Sequence, residues 1–144
     1  MNRALPTSEE ENINLPRDFL NVLTDALSIR TRTIPETHTH NHLTQAESVP
    51  RIAVLFSGGL DCSVLAWIIH TLLPPDESID LVNVAFENPR TVALQNLAPG
   101  DIYSACPDRI TGRAGWEELR HLSQATSRKW RFVEVCSPLI LSDS

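Results

Sequence analysis

The stretch 52-IAVLFSGGLDCSVLAWIIHTLL-73 decides the architecture. Five apolar residues, 52–56, have the length and composition of a strand. Ser57-Gly58-Gly59 follows, and a second apolar run then extends to Pro74-Pro75. That second run is apolar on nearly every side, so a buried helix is expected over 61–73, stopped by the prolines. Between strand and helix, Gly58 and Gly59 carry no side chains, which lets the backbone bend sharply and its N–H groups approach a ligand closely. The helix start adds unsatisfied donors and the positive end of a dipole, and Ser57 and Ser63 add hydroxyls. All of this favours an anion. Asp61 alone opposes it. Either its carboxylate caps the helix, worth about 1 kcal/mol, or a divalent cation bridges it to phosphate oxygens, as Mg²⁺ does with one or two carboxylates. The turn by itself leaves both readings open. It is neither a P-loop, because Leu60-Asp61 stand where Lys and Ser/Thr are required, nor a G-x-G-x-x-G fingerprint.

Working outward, two further strand candidates cover 81–86 and 130–136, the latter alternating apolar with charged residues. A shorter helix over 112–124 places Trp116, Leu119 and Leu122 on one side. The order β-α-β-α-β with buried strands implies a parallel sheet with right-handed crossovers. The fold class is therefore α/β, a partial doubly wound parallel sheet with three strands. Ligands of such sheets bind beyond the carboxyl ends of the strands, where residues 57–63 lie. Ahead of the sheet, Phe19, Leu20, Leu23, Ala26 and Leu27 recur at three- and four-residue spacing, giving an amphipathic helix over 16–30 with Pro16 in its first turn. The organisation reads as a disordered acidic segment (1–15), that helix (16–34), a linker loop (35–50), the ligand-binding domain (51–137) and a tail (138–144). Residues 87–107 form a long irregular excursion.

The chain has 144 residues, 42% apolar and 21% charged, with a formal net charge of −6. Its acidity and lack of any basic cluster argue against a nucleic-acid partner, which would need Lys and Arg to neutralise phosphates. No apolar run has membrane-spanning length, and MNRALPTSEEE turns acidic rather than forming a signal peptide, so a cytoplasmic protein is expected. Cys62, Cys106 and Cys136 are an odd number without metal-ligand spacing and read as reduced thiols. The histidines of 38-HTHNH-42 have no carboxylate or Cys close by and read as a polar linker.

The turn resembles the SGGxDS pyrophosphate loop of the ATP-pyrophosphatase ligases. S-G-G-L-D-x-S after an apolar strand is most similar to the synthetase domain of glutamine-dependent asparagine synthetases. The helix over 16–30 resembles the one preceding that loop. The segments 79-IDLVNVAFENP-89, 107-PDRITGRAGWEEL-119 and 130-WRFVEVC-136 resemble the eukaryotic asparagine synthetase domain-containing family, so the likeness runs through most of residues 16–136. It implies that Ser57, Gly58, Gly59, Leu60, Asp61, Cys62 and Ser63 form the ATP and pyrophosphate loop, with Asp61 holding Mg²⁺ through the phosphates. It also implies that Leu55, Val84 and Ala85 approach the adenosine, mainly through backbone groups. Cys62 departs from the pattern, which has serine there. A thiol donates weakly, so it weakens one contact or serves as a small apolar residue. Arg109, with Asp108 and Arg113 around the start of the second helix, is a candidate for a phosphate or substrate carboxylate; its structural alternative is a local ion pair with Asp108.

The implied reaction is asparagine biosynthesis: ATP adenylates an aspartate-like carboxylate, and ammonia then attacks it. No catalytic residue is assigned within this chain. The family's glutaminase half begins with a cysteine, whereas residue 2 is Asn2, and a fourth strand that would lie beside the first is missing before Ser144. The expectation is a front half of a synthetase domain, with an exposed sheet edge open to a protein partner. The alternative is a non-catalytic nucleotide-binding or interaction remnant of that domain.

Overall fold

A computed structural model describes residues 9–34, 50–87 and 101–138. The His-rich segment 38–42, the linker, most of the 87–107 excursion and the C-terminal tail lie outside the described residues. The chain divides into two units, Met1–Pro35 and Glu36–Ser144.

The first unit is one helix, α1 (Glu9–Arg32). It begins earlier than its sequence suggests, within the segment expected to be disordered, and Pro16 sits inside it rather than in its first turn. Proline removes one donor and crowds the carbonyl four residues back, which bends a helix without always ending it. The run ahead of Pro16 is rich in glutamate, a good helix former. Arg30 and Arg32 occupy the last turn, where the helix dipole favours cations.

The second unit is the α/β domain. Its elements are β1 (Ile52–Leu55), α2 (Leu60–Leu72), β2 (Ile79–Phe86), α3 (Asp101–Ser104), α4 (Pro107–Leu122), a 3-10 turn (Gln124–Thr126) and β3 (Trp130–Ser137). The three strands form one parallel sheet in the order β1-β2-β3, as the β-α-β-α-β pattern predicts. α4 starts before the expected residue 112 because Pro107 is well placed at a first helical position, with Cys106 as N-cap. Asp108, Arg109 and Arg113 are therefore all helical.

The register sets the faces. Ile52, Val54 and Phe56 alternate with Ala53 and Leu55, and Ile79, Leu81, Asn83 and Ala85 alternate with Asp80, Val82, Val84 and Phe86. The first set is buried; Leu55 is 75% and Phe86 63% exposed. The strands expected to be buried are thus covered on one face only. α2 is likewise buried on one side, through Ala66, Ile68, Ile69 and His70, while Leu60 and Trp67 remain exposed. A single sheet and a neighbouring helix cover only part of a cylinder, whatever the composition of the rest.

The base of the domain is closed by Arg128, which is buried. Its Nε donates to His70 Nδ1 (2.9 Å), and Nη2 donates to the carbonyls of His70 (2.8 Å) and Leu73 (2.9 Å). Nη1 donates to the carbonyls of Pro74 and Glu77. All five guanidinium donors find acceptors, and the cation stands at the negative end of α2. His70 lies between the rings of Trp67 and Trp130, with centroids 4.9 and 5.7 Å away. Burial, and then the Arg128 charge, hold its imidazole below the usual histidine range. The neutral ring accepts at Nδ1, which fixes its proton on Nε2.

Candidate functional site

Beyond β1 the Phe56 amide still bonds to Val82 O (2.8 Å), so the chain stays on the sheet for one further residue. It then turns through Gly58, whose φ is 82°, a left-handed conformation that glycine adopts without strain. Gly59 is the N-cap of α2, and no side chain caps it. The first bond of the helix is Ser63 N–H to Gly59 O (3.1 Å). The amides of Leu60, Asp61 and Cys62 precede it and have no acceptor within the helix. Ser57, Gly59, Leu60 and Asp61 are exposed.

Asp61 stands in the first turn and not at the cap, which removes the N-cap role considered for it from sequence. Among the described residues nothing hydrogen-bonds or pairs with its carboxylate. Its charge interacts favourably with the helix dipole, and both carboxylate oxygens are open to a ligand. Cys62 is half-buried; its thiol folds back to donate to Gly59 O (3.1 Å) and lies 3.7 Å from Ser57 Oγ. Leu55 and Val84 share the exposed sheet face, whereas Ala85 is buried on the opposite one.

The turn is held from behind by β2 and α4. Asn83 Nδ2 donates to Phe56 O (2.7 Å) and to Asp108 O (2.8 Å), tying the end of β1 to the first turn of α4. Thr111 Oγ1 donates to Ser57 O at 2.6 Å. A methyl group at Gly58 would meet Thr111 O at 2.1 Å, one at Gly112 would meet Asn83 Nδ2 at 2.4 Å, and one at Gly115 would stand 3.2 Å from Gly58 Cα. Glycines on both sides allow backbone to pack on backbone. Asn83 is 1% exposed, and its Oδ1 has no partner.

Arg109 is 1% exposed and faces β3. Its Nη2 donates to Val135 O (2.9 Å), with Cys136 Sγ at 3.7 Å, and its Nη1 lies 3.4 Å from Asn83 O. Its carboxylate partner is Glu134 (3.7 Å) rather than the adjacent Asp108. Glu134 in turn accepts a bidentate pair from Arg113 at 2.7 and 3.1 Å. The Arg113 hydrogen bonds, followed by the nearby cations' charges, hold Glu134 below the usual carboxylate range against the opposing effect of burial. Arg109 thus locks α4 to the carboxyl half of β3, set apart from the exposed turn by its burial.

Sequence reading missed Asn83, Thr111, Gly112 and Gly115. The two glycines three apart in a helix were the available signal, since each costs about 1 kcal/mol relative to alanine unless close packing requires it. Among the described residues no group of three or more His, Cys, Asp or Glu is gathered for a metal, and no helix is long and apolar enough to cross a membrane.

The fold and this junction define an open parallel α/β unit with an unsatisfied helix N-terminus at the carboxyl end of its first strand. Sequence comparison identifies its relatives. The chain is 34% identical to asparagine synthetase domain-containing protein 1 of Homo sapiens over 83% of its own length, and 39% identical to the corresponding Saccharomyces cerevisiae protein over 79%. The Gallus gallus protein is 39% identical over 58% of the chain. The chain is thus related to the asparagine synthetase domain-containing family. It spans only 23%, 20% and 17% of the lengths of these three relatives. No family model and no solved structure matches it.

Proposed function

We propose that residues 57–63 hold the phosphate tail of MgATP, as part of an asparagine-synthetase-like, ATP-dependent amide ligase domain. One observation carries this reading: a left-handed Gly58 opens a run of unbonded helix N-terminal amides beside a carboxylate that no described residue engages. Amides and dipole suit phosphate oxygens. Asp61 would repel them unless a divalent cation intervenes, so a magnesium nucleotide fits both halves of the site better than a free anion does. Mg²⁺, held by Asp61 and the phosphates, would neutralise charge on the departing pyrophosphate.

Ser57 and the amides of Gly58 to Cys62 position the β- and γ-phosphates in this proposal. The exposed face bearing Leu55 and Val84 offers apolar surface to the adenine. A substrate carboxylate oxygen bonds to the α-phosphorus as the bond to the pyrophosphate oxygen breaks. Ammonia then attacks the acyl carbon and AMP leaves. No residue of the 57–63 site is assigned to the second step or to selection of the acid. That leaves a second reading, nucleotide binding without catalysis, supported by the outer edge of β1, which no described strand pairs, and the exposed sheet face beside it.

Calorimetric titration with MgATP tests the first claim. Binding by the parent chain, lost with Asp61→Ala or when Mg²⁺ is withheld, is the expected result. Absence of heat in the parent, or equal heat in parent and Asp61→Ala, would remove it. AMP release with ATP, Mg²⁺, aspartate and ammonia separates ligase from binding module.

A further inference from the structure

We infer that Thr111, on α4, is the positioning residue that turns the Gly58 amide toward the ligand; the inference rests on the phosphate-tail reading of the same loop. In a trans peptide the carbonyl and the following N–H point in opposite directions. Thr111 Oγ1 draws Ser57 O toward α4 at 2.6 Å, so the N–H of Gly58 is directed away from α4, to the open side of the turn. The neighbouring carbonyl is held in the same way, by Asn83 Nδ2 on Phe56 O at 2.7 Å. Two consecutive peptide planes are therefore set by side chains from outside the loop.

The Thr111 hydroxyl also lies 3.0 Å from Pro107 O. It has one proton, and Pro107 O stands four residues back, where the Thr111 backbone amide is the usual donor. The shorter bond to Ser57 is thus the one that needs the hydroxyl. Gly112 and Gly115 let α4 come close enough for this contact, because a side-chain carbon at Gly112 would strike Asn83 and one at Gly115 would press on Phe56 and Gly58. A phosphate-binding amide fixed before the ligand arrives avoids the cost of ordering a loop on binding. Helix α4 supplies that order without touching the ligand.

The test compares Thr111→Val, which keeps the branched shape and loses the hydroxyl, with Thr111→Ser, which keeps the hydroxyl. The probe is magnesium pyrophosphate, with circular dichroism confirming that both variants fold. Thr111→Val is expected to bind about tenfold more weakly, the scale of one charge-assisted hydrogen bond. Its Gly58 amide resonance should shift and exchange with solvent at an altered rate. Thr111→Ser should stay within about twofold of the parent on both measures. A Thr111→Val protein with parental affinity and an unmoved Gly58 resonance overturns the inference. If the parent itself does not bind magnesium pyrophosphate, the phosphate-tail reading falls, while the Gly58 resonance still decides whether Thr111 sets that peptide.

Discussion

Gly58 and Gly59 are equivalent in the sequence and unlike in the structure, which makes replacing each by alanine a sharp test. At Gly58 the φ of 82° places alanine in the left-handed region, at a cost of about 1–2 kcal/mol. The new methyl would also lie 2.1 Å from Thr111 O, 2.3 Å from Thr111 C and 2.6 Å from Gly112 N. All three are backbone atoms of α4 and cannot swing aside as a side chain can. Relief requires the turn to lift from the helix, and overpacking of this kind costs about 1–3 kcal/mol more. Together Gly58→Ala should destabilise by about 2–5 kcal/mol, a large part of the 5–15 kcal/mol typical of a domain. At Gly59 the φ is −72° and the nearest atom is Ser57 Oγ at 3.6 Å, an ordinary contact. Alanine is a poorer N-cap than glycine, but it also lowers the entropy of the unfolded chain. The two effects oppose, so Gly59→Ala should fall within about 0.5 kcal/mol of the parent. Urea unfolding reads the difference. With a slope of about 1–3 kcal/mol per molar, Gly58→Ala should shift the midpoint by about 0.7 M or more. Coincident midpoints for the two variants would refute the packing of the turn on α4.

The buried histidine makes stability pH-dependent. With its folded pKa lowered, His70 binds fewer protons folded than unfolded, so stability falls as pH drops below about 6.5 and continues falling to the folded pKa. Urea midpoints between pH 7.5 and 5 should show this loss, at no more than about 1.4 kcal/mol per pH unit. The excess slope should vanish in His70→Asn, which offers Arg128 a neutral acceptor. Arg109→Met removes the side-chain donor from Val135 O and leaves Arg113 as the cation that pairs Glu134, and should cost about 1–3 kcal/mol in the same assay. A mild effect combined with lost MgATP binding would instead return Arg109 to the ligand. Replacing Arg113 by methionine should raise the titration of Glu134 toward the ordinary carboxylate value, followed by carboxyl carbon resonances. In the parent, Glu134 favours the folded state above its ordinary pKa, and that contribution disappears as pH falls through the folded value.

The sheet was legible because its signals are local. Short β-rich runs separated by helix-length segments leave little choice but a parallel arrangement, and β1-β2-β3 follows. Element edges were less legible. Pro16 reads as a start and lies inside a helix, and Pro107 reads as loop and begins one. Proline's local rules permit both outcomes, so neighbouring contacts decide. Burial was misread for a different reason. Val82, Val84, Leu55 and Phe86 are as apolar as a core, yet only the face toward Asn83 and Phe56 is fully covered. Composition records what a surface would bury against, not whether the covering partner is present.

The support of the turn could not be read from its motif, because it comes from residues 27 and 54 positions away from those they bond: Asn83 on β2 and Thr111 on α4. What ties these to the loop is a set of local costs that converge there. Gly58 requires a left-handed backbone, Gly59 leaves its helix uncapped, two glycines weaken α4, and Asn83 keeps a buried oxygen unpartnered. An unsatisfied buried acceptor alone costs about 1–3 kcal/mol. By contrast, the Arg128 node at the other end of α2 satisfies every donor it has. Stability explains the Arg128 end of the helix and does not explain the Gly59 end. Departures from local rules collect where a fold must present something, and here they collect around three amides without a helical acceptor and a carboxylate that no described residue engages.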